Sequence, residues 1–280
     1  MALRAALAGG RLPRSVFGAP TGYPQSGVHE TGGGTDVDWW ARRFRCNPET
    51  SGLREMLRRS IWDYYKVQKM VGFCVRNNPL QLRRVALRRR SKPLLHLGSG
   101  PNLLEGFVNL DYHWWPKLDL CWDFNSGIPL RDASIDGIFT EHCLEHITFD
   151  QCHRLLRECQ RILKPGALIR VVVPDAEYYL NLYQRIRSGE NVEFYQDAND
   201  PFTFFSTPMT EVNRAFRAYG HRFLYDYETM AEMLRWSGFE NVRRESFMNG
   251  QISQLLVDSL RRQGGSLYVE ATKAQLCSTR

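Results

Sequence analysis

The stretch from Lys92 to Asp111 reads Lys-Pro-Leu-Leu-His-Leu-Gly-Ser-Gly-Pro-Asn-Leu-Leu-Glu-Gly-Phe-Val-Asn-Leu-Asp. Its apolar run at 94–97 predicts a buried strand. The turn Gly98-Ser99-Gly100 that follows lets the backbone approach a ligand with no side chain in between. A second apolar run, 107–110, ends on the acidic Asp111. A glycine-rich turn after one strand and a carboxylate after the next are typical of nucleotide-like ligand sites in doubly wound sheets.

Further along the chain, predicted strands and helices follow one another in turn. The predicted strands are continuous apolar runs and do not show the apolar–polar alternation of a strand with one exposed face. Such runs indicate a parallel sheet that is covered on both faces. The predicted fold is therefore α/β, with a Rossmann-like, doubly wound, mostly parallel sheet of seven strands and helices on both faces. Beyond 94–97 and 107–110, we expect strands at 118–122, 135–140, 168–174, 241–247 and 267–271, a helix from Glu141 to Lys164-Pro165-Gly166, and a helix over 226–238.

The charge of the chain is uneven along its length. The net charge is +7, but the segment 36–91 has 14 basic and 5 acidic residues, whereas the chain from Lys92 onward has 20 basic and 24 acidic residues. The basic character therefore belongs to the N-terminal third. This basic segment could contact an anionic surface, although a solvated helix face is the more favoured interpretation.

The composition divides the chain into segments. Residues 1–35 are rich in small residues and arginine, with no acid before Glu30. We expect a disordered tail there, with an organelle transit peptide as the alternative. We expect a basic helical extension over 36–91, a main domain over 92–273 and a short tail over 274–280. An aromatic-rich insertion at about 176–226 is too long for a simple connection, which predicts a lid or substrate-binding element.

The lengths of the apolar runs and the spacing of the cysteines both bear on the location of the protein in the cell. No apolar run reaches the roughly 18 residues of a transmembrane helix. The seven cysteines show neither a Cys-x-x-Cys pair nor zinc-finger spacing, which favours a reducing, cytoplasmic location.

The order of motifs over residues 92–273 resembles the class I S-adenosylmethionine-dependent methyltransferases. More narrowly, it resembles a branch of small enzymes associated with glycan and secondary-metabolite pathways. The motifs that carry the resemblance are Leu-His-Leu-Gly-Ser-Gly-Pro-Asn (95–102), Val-Asn-Leu-Asp (108–111), Ile-Pro-Leu-Arg-Asp-Ala-Ser-Ile-Asp (128–136), Leu-Glu-His-Ile (144–147), Arg-Ile-Leu-Lys-Pro-Gly-Ala-Leu (161–168) and Ser-Gly-Phe (237–239).

The resemblance implies S-adenosylmethionine as the cofactor. It places the glycine turn against the methionyl group, Asp111 on the ribose and Asp123 on the adenine amino group, with Phe124 offering a backbone amide and an apolar wall. Thr140 and Glu141, at the tip of strand four, are expected beside the sulfonium. The implied contact set is His96, Gly98, Ser99, Gly100, Asp111, Asp123, Phe124, Thr140 and Glu141.

The chain departs from the usual family pattern at two positions. His96 stands where most members have an acidic residue, two positions before the first glycine. Pro101-Asn102 stands where a third glycine is usual. The short interval between Gly100 and Asp111 also predicts that the helix between the first two strands is reduced to a turn. The narrower branch shows the same shortening.

The candidate catalytic residues follow strand four. On a helix, His142, Glu145 and His146 would share a face, because they are three and four residues apart. They could form a general base with its orienting partner, or a facial site for a divalent metal, and we expect the metal-free version. Packing at a helix–sheet junction is the structural alternative. His221 is a second candidate, with a capping role as its alternative.

The acceptor cannot be identified from sequence. Asp175, directly after strand five, lies where acceptors commonly approach in this architecture, and Tyr178 and Phe205 could line their pocket. We expect O-methylation of a hydroxyl on a sugar, a glycan or a small metabolite. The alternatives are N-methylation of protein or RNA, and a non-catalytic partner subunit. The sequence does not indicate an oligomeric state.

Overall fold

The computed structural model describes residues 66–88, 94–192 and 207–275. The predicted tail 1–35, the first part of the basic extension, and the aromatic residues between 193 and 206 lie outside these ranges. Phe205 is among the latter. Within the described ranges, no helix is both long enough and apolar enough to cross a membrane.

The core of the fold is a sheet of seven strands, as the sequence predicts. The strand order is β3-β2-β1-β4-β5-β7-β6. Strands β1 to β5 pair in parallel, and β7 runs antiparallel to both β5 and β6. The strands are β1 (Leu94–Leu97), β2 (Phe107–Asp111), β3 (Leu120–Cys121), β4 (Ile135–Glu141), β5 (Leu163–Pro174), β6 (Phe239–Glu245) and β7 (Ser266–Lys273).

In the described part of the chain, six α-helices accompany the sheet. They are α1 (66–75), α2 (Leu80–Arg88), α3 (Phe149–Ile162), α4 (Ala176–Arg187), α5 (Pro208–Arg217) and α6 (Tyr227–Trp236). The connection from β1 to β2 contains no helix, which agrees with the short interval in the sequence.

The two faces of the sheet are covered differently. On one face, side chains such as Leu95 and Leu97 join a large core with residues of α3 and α6, including Leu156 and Met230. On the other face, a smaller core around Phe139 packs against the irregular segment 247–257. That segment contributes a short 3-10 turn, Ser253–Leu255.

The helix after β4 begins later than the sequence predicts. Strand β4 continues through Glu141, a 3-10 turn covers Leu144–His146, and α3 starts only at Phe149. Thr148 caps α3, and Gln151 completes a capping box, a start signal that the sequence contains. At its other end α3 gives way at Leu163 to β5, so Lys164-Pro165-Gly166 lies within the strand instead of ending the helix.

Gly98 joins the turn after β1 to the turn after β4. Its φ of +70° favours glycine, and a Cβ atom built on it would lie 2.3 Å from the Sγ of Cys143. Real Cβ atoms do not approach that closely, so the two turns pack in direct contact because residue 98 has no side chain. Gly100 differs, since a Cβ there would meet nothing within 4 Å.

The helices α1 and α2 pack against the ends of β2 and β3. The side-chain amide of Gln81 donates to the carbonyl of Cys121, and its Oε1 accepts from the Cys121 amide. Arg76 donates to the carbonyl of Tyr112 and stacks on the Tyr112 ring at 3.7 Å. Asn77 accepts from the backbone amide of Asp123. These contacts fix the loops that follow β2 and β3.

A buried ion network holds the irregular segment to the smaller core. Arg170 on β5 has no exposed side-chain surface, and it donates to Asp258 and to Glu270, its partner in register on β7. It also donates to the carbonyls of Ser246 and Asn249. One guanidinium thereby satisfies two buried carboxylates and two backbone groups.

We expect Arg170→Met to lower the free energy of unfolding by about 3–5 kcal/mol, because it leaves two carboxylates buried without a cation. Urea denaturation of the purified protein measures this loss. Arg235→Met is the matched control, since the Arg235–Glu232 pair is half exposed and its loss should cost at most about 1 kcal/mol. Equal effects of the two substitutions would contradict the role of the network.

We expect Gly98→Ala to lower the free energy of unfolding by about 2–5 kcal/mol, through overpacking against Cys143 and strain at positive φ. Gly100→Ala should cost only the backbone strain, about 1–2 kcal/mol. The double variant Gly98→Ala/Cys143→Gly removes the clashing atoms and should recover part of the loss. No recovery in the double variant would show that the contact does not set the cost.

Candidate active site

A cavity of about 630 Å³ opens at the carboxyl ends of β1, β2 and β4. This is the edge at which open α/β sheets bind their ligands. Its lining combines residues that the sequence singled out with others that it did not. The lining residues are Gly98, Gly100, Asp111, Tyr112, His113, Trp115, Asp123, Phe124, Asn125, His142, Cys143, His146, Ile147, Gln151, Tyr219 and Arg222.

Asp111 lies at the end of β2 and organises one side of the cavity. Its two carboxylate oxygens accept from the backbone amides of Gly100, at 2.8 Å, and His113, at 2.6 Å. Burial raises the pKa of Asp111, and the two amide hydrogen bonds partly oppose that rise. The indole nitrogen of Trp115, also in the lining, is buried without a hydrogen-bond partner.

Asp123 and Phe124 lie at the end of β3, as the sequence predicts. Asp123 caps the 3-10 turn Phe124–Ser126, and its Oδ1 accepts from the backbone amide of Asn125 at 3.0 Å. Phe124 is buried and forms part of the cavity wall. The backbone amide of Asp123 is held by Asn77, so the N-terminal helices help to shape this end of the cavity.

His96 does not reach the cavity, contrary to its expected place among the cofactor contacts. Alternation along β1 sends Leu95 and Leu97 into the large core and His96 to the other face. There its ring lies against Phe107 and Phe139, and its Nδ1 is 3.2 Å from the Oδ1 of Asn109. Burial lowers the pKa of His96 to about 4, so the ring is a neutral core residue at pH 7.

Three other expected contacts also lie outside the lining. Ser99 is buried, with its backbone amide bonded to the carbonyl of Leu110. Thr140 is 1 % exposed within β4. Glu141 turns towards the irregular segment, where its Oε1 accepts from the backbone amide of Ser259 at 2.8 Å. The structure therefore directs Glu141 away from the position beside the sulfonium that the sequence predicts.

The candidate catalytic residues do converge, although not on a helix. His142 has a φ of +49°, which turns the chain out of β4. Its Nδ1 lies 3.2 Å from the Oε1 of Glu145, and its Nε2 lies 3.0 Å from the Oγ of Ser266. The Nε2 atoms of His146 and His221 each lie 3.9 Å from the same Oε1 of Glu145. We call these four residues, His142, Glu145, His146 and His221, the histidine–glutamate cluster.

Glu145 is the centre of the cluster and has no solvent-exposed side-chain surface. Burial favours its neutral form, but the contact with His142 and the nearby imidazoles outweigh burial and lower the pKa of Glu145. Burial lowers the pKa of His146, with the charge of Glu145 opposing the shift. At pH 7 the cluster therefore presents a carboxylate next to a neutral imidazole that faces the cavity.

His221 lies far from the other three residues of the cluster along the sequence. The backbone amides of Arg222 and Phe223 donate to the carbonyl of Glu145, at 2.7 and 3.2 Å. The ring of His221 packs edge-on against that of His146, with 4.8 Å between centroids. The sequence named His221 as a separate candidate, and only the fold joins it to the residues after β4.

Several lining residues were missed by the sequence reasoning. Tyr112, His113 and Trp115 directly follow Asp111, so the rule that selected Asp111 could have found them. Tyr219 and Arg222 flank His221 in the same way. Cys143, Asn125, Ile147 and Gln151 carry no comparable signal in the sequence.

Asp175 and Tyr178 do not line the cavity. Asp175 caps α4 by accepting from the backbone amides of Glu177 and Tyr178, and it forms an ion pair with Arg244 at 3.0 Å. Tyr178 is 42 % exposed and packs against Tyr179. Asp175 therefore caps a helix and Tyr178 packs on a neighbouring ring, and neither faces the cavity.

The chain matches one family model, described as a methyltransferase domain, over residues 112–171. The match runs from the cavity loop after β2 through β3, β4 and α3 into β5. It therefore includes Asp123, Phe124 and three residues of the histidine–glutamate cluster. No curated protein matches the full sequence.

Solved structures with similarity to the chain are distant. A methyltransferase from Thermotoga maritima, described as a possible histamine N-methyltransferase, is 16% identical, with 70% of this chain and 92% of that one covered and a TM-score of 0.41. An Archaeoglobus fulgidus methyltransferase is 17% identical, with 85% and 100% covered and a TM-score of 0.41. One from Mesorhizobium loti is 19% identical, with 64% and 90% covered and a TM-score of 0.37. Nothing about the substrates of those proteins carries over to this chain.

The cavity suits S-adenosylmethionine by its own chemistry. The space beside Gly100 is open, a buried carboxylate lies at the end of β2, and the Trp115 indole offers a donor without a partner. Residues 112–171 therefore match a methyltransferase domain, and the strand order of the sheet and the chemistry of this cavity agree with that match.

Proposed function

We propose that this methyltransferase transfers the methyl group to a hydroxyl of a sugar, a glycan or a small metabolite. The histidine–glutamate cluster carries the proposal. Three imidazoles surround one buried carboxylate at the sheet edge where we propose that the cofactor binds. An alcohol must lose its proton as it attacks, whereas a neutral amine attacks without help from a base. A cluster built for proton removal therefore favours an oxygen acceptor.

The cofactor is proposed to lie along the carboxyl ends of β1, β2 and β3. Gly98 and Gly100 would face its methionyl part, Asp111 its ribose hydroxyls, and Asp123 with Phe124 its adenine. Bound S-adenosylmethionine supplies a methyl carbon that its sulfonium makes electrophilic. His96, Ser99, Thr140 and Glu141 are not part of this proposal, because none of them lines the cavity.

The acceptor is proposed to enter between the cluster and the segment 207–222. Tyr219 and Arg222 line the cavity on this side, next to His146 and Gln151. A planar guanidinium, an amide and a phenol suit the hydroxyls of a polar small molecule. Tyr219 and Arg222 both fall within the insertion that the sequence predicts at about 176–226.

The chemical step is a direct displacement. The acceptor oxygen forms a bond to the methyl carbon while the bond from that carbon to sulfur breaks, and the hydroxyl proton leaves the oxygen. An imidazole of the cluster accepts this proton. Glu145 supports the imidazoles through its charge, since it lies within ion-pair distance of all three.

The alternative acceptors have less support. N-methylation of RNA would be served by a basic surface, but the chain from Lys92 onward has 20 basic and 24 acidic residues. The basic extension before it lies mostly outside the described residues. A non-catalytic subunit would not need the convergence of imidazoles at the cofactor edge.

We expect Asp111→Ala to weaken binding of S-adenosylhomocysteine by about 1.5–3 kcal/mol, because hydrogen bonds to a charged acceptor are lost. Titration calorimetry on the folded variant measures the change. Glu105→Ala, which removes an exposed carboxylate from the same β1–β2 connection, should bind as the unaltered protein does. Unchanged affinity in Asp111→Ala would remove Asp111 from the site.

We expect Glu145→Gln to reduce turnover by roughly 10²–10⁴-fold while S-adenosylhomocysteine still binds, since the imidazoles lose their charged partner. Transfer of labelled methyl groups to a panel of sugars, phenols, amines and RNA measures both turnover and acceptor class. His153→Ala, outside the cavity on α3, serves as the control and should remain active. Transfer to amine or RNA nitrogen alone would refute the hydroxyl proposal.

A further inference from the structure

Glu145, His146 and His221 have the arrangement of a metal-binding triad. Each offers one ligand atom, and the three atoms all lie within 4.8 Å of one another. A pair of imidazoles with one carboxylate is a common donor set for divalent transition metals. This combination exists only in the folded protein, because His221 lies far from the other two in sequence.

The carboxylate of Glu145 is buried and lacks hydrogen bonds. Neither of its oxygens has a hydrogen-bond partner, and both are inaccessible to solvent. The nearest partner is His142, whose Nδ1 lies 3.2 Å from Oε1. The three imidazoles all approach Oε1, so Oε2 is the less compensated oxygen. A buried carboxylate without hydrogen bonds is costly unless a cation compensates it.

The ring of His221 is oriented as a ligand. Its Nδ1 lies 2.6 Å from the carbonyl oxygen of Ala215. A carbonyl can only accept, so Nδ1 carries a proton and donates it. In the neutral ring, Nε2 therefore presents its lone pair towards Glu145. A histidine that binds a metal through one nitrogen usually donates from the other to such a carbonyl.

The distances leave room for an ion and not for a hydrogen bond. The Nε2 atoms of His146 and His221 are both 3.9 Å from Oε1 of Glu145, which is beyond hydrogen-bond range. Two donors on a tetrahedral zinc ion are about 3.4 Å apart, because each bond is about 2.1 Å long. To reach that geometry, the two distances to Glu145 would shorten by about half an ångström. The two imidazole nitrogens, which lie within 4.8 Å of each other, would approach by up to about 1.4 Å.

The backbone holds the triad together. Glu145 and His146 belong to one 3-10 turn, and the amide of Arg222, next to His221, donates to the carbonyl of Glu145. Ligands on such braced segments need little rearrangement to bind. The triad also adjoins the cavity, because His146 and Arg222 line it.

We propose that Glu145, His146 and His221 bind a divalent transition-metal ion of the zinc or manganese type at the acceptor side of the cavity. The ion has open positions for the acceptor hydroxyl, which it would orient and acidify. That role rests on the proposed function, whereas binding of the ion does not. The sequence favoured a metal-free site because two histidines and one carboxylate need to supply only one base and one orienting partner.

The test is metal binding by the full-length protein after treatment with a chelator. Calorimetric titration with Zn²⁺, and paramagnetic resonance with Mn²⁺, should show a single ion per chain and a rise in melting temperature with ion concentration. Mg²⁺ should bind much more weakly, since imidazole is a poor ligand for it. No saturable binding of either Zn²⁺ or Mn²⁺ would overturn the proposal.

Variants assign the ion to the triad. His221→Ala and Glu145→Gln should each weaken binding by roughly tenfold or more, and His153→Ala should leave it unchanged. If either triad variant does not fold, the other still tests the assignment. Equal binding by all three variants would overturn it.

Binding of S-adenosylhomocysteine and methyl transfer are measured on the same samples. If the protein binds the ion but does not methylate hydroxyls, the metal site is supported and the proposed acceptor is refuted. If the protein binds no ion and chelators leave hydroxyl methylation intact, the proposed acceptor is supported and the metal site is refuted. The two proposals can therefore fail separately.

Discussion

The contact between Gly98 and Cys143 is the constraint on which the active site depends. Strand β1 lies between β2 and β4, so the turns after these three strands emerge at one edge of the sheet. The absence of a side chain at residue 98 lets the turn after β4 press directly against the turn after β1. The glycine turn after β1 and the histidine–glutamate cluster after β4 are therefore positioned by the same contact. The glycine that the sequence assigns to ligand approach is needed at least as much for this packing.

The cavity is completed by elements outside the central strands. On one side, Arg76 and Asn77, in the turn between α1 and α2, fix the loops after β2 and β3 through Tyr112 and Asp123. On the other side, the segment that carries Tyr219 and His221 is tied to Glu145 by its backbone. The sheet therefore supplies the glycine turn and the carboxylates, and the flanking helices determine the size and chemistry of the pocket.

The two buried charged residues Arg170 and Glu145 differ in their hydrogen-bond partners. Arg170 has two carboxylates and two carbonyls as partners, so its charge is fully compensated and its role is structural. Glu145 is equally buried, yet neither of its oxygens has a hydrogen bond. Native proteins rarely leave a buried charge in that state without a functional reason. This difference singles out the cluster at the cavity from the other buried ionic groups among the described residues.

The sequence by itself determined the strands, their parallel character and the positions of Asp111, Asp123 and Phe124, because continuous apolar runs and strand-end residues are local signals. It could not determine which face of β1 carries His96, since an apolar run buried on both sides has no alternation to fix that choice. It placed His142, Glu145 and His146 together on a helix, whereas a turn at positive φ brings them together. Only the tertiary structure decided that Glu141 points to Ser259 and that His221 joins Glu145. Contacts between residues so distant along the chain depend on how the layers pack, and no local pattern records them.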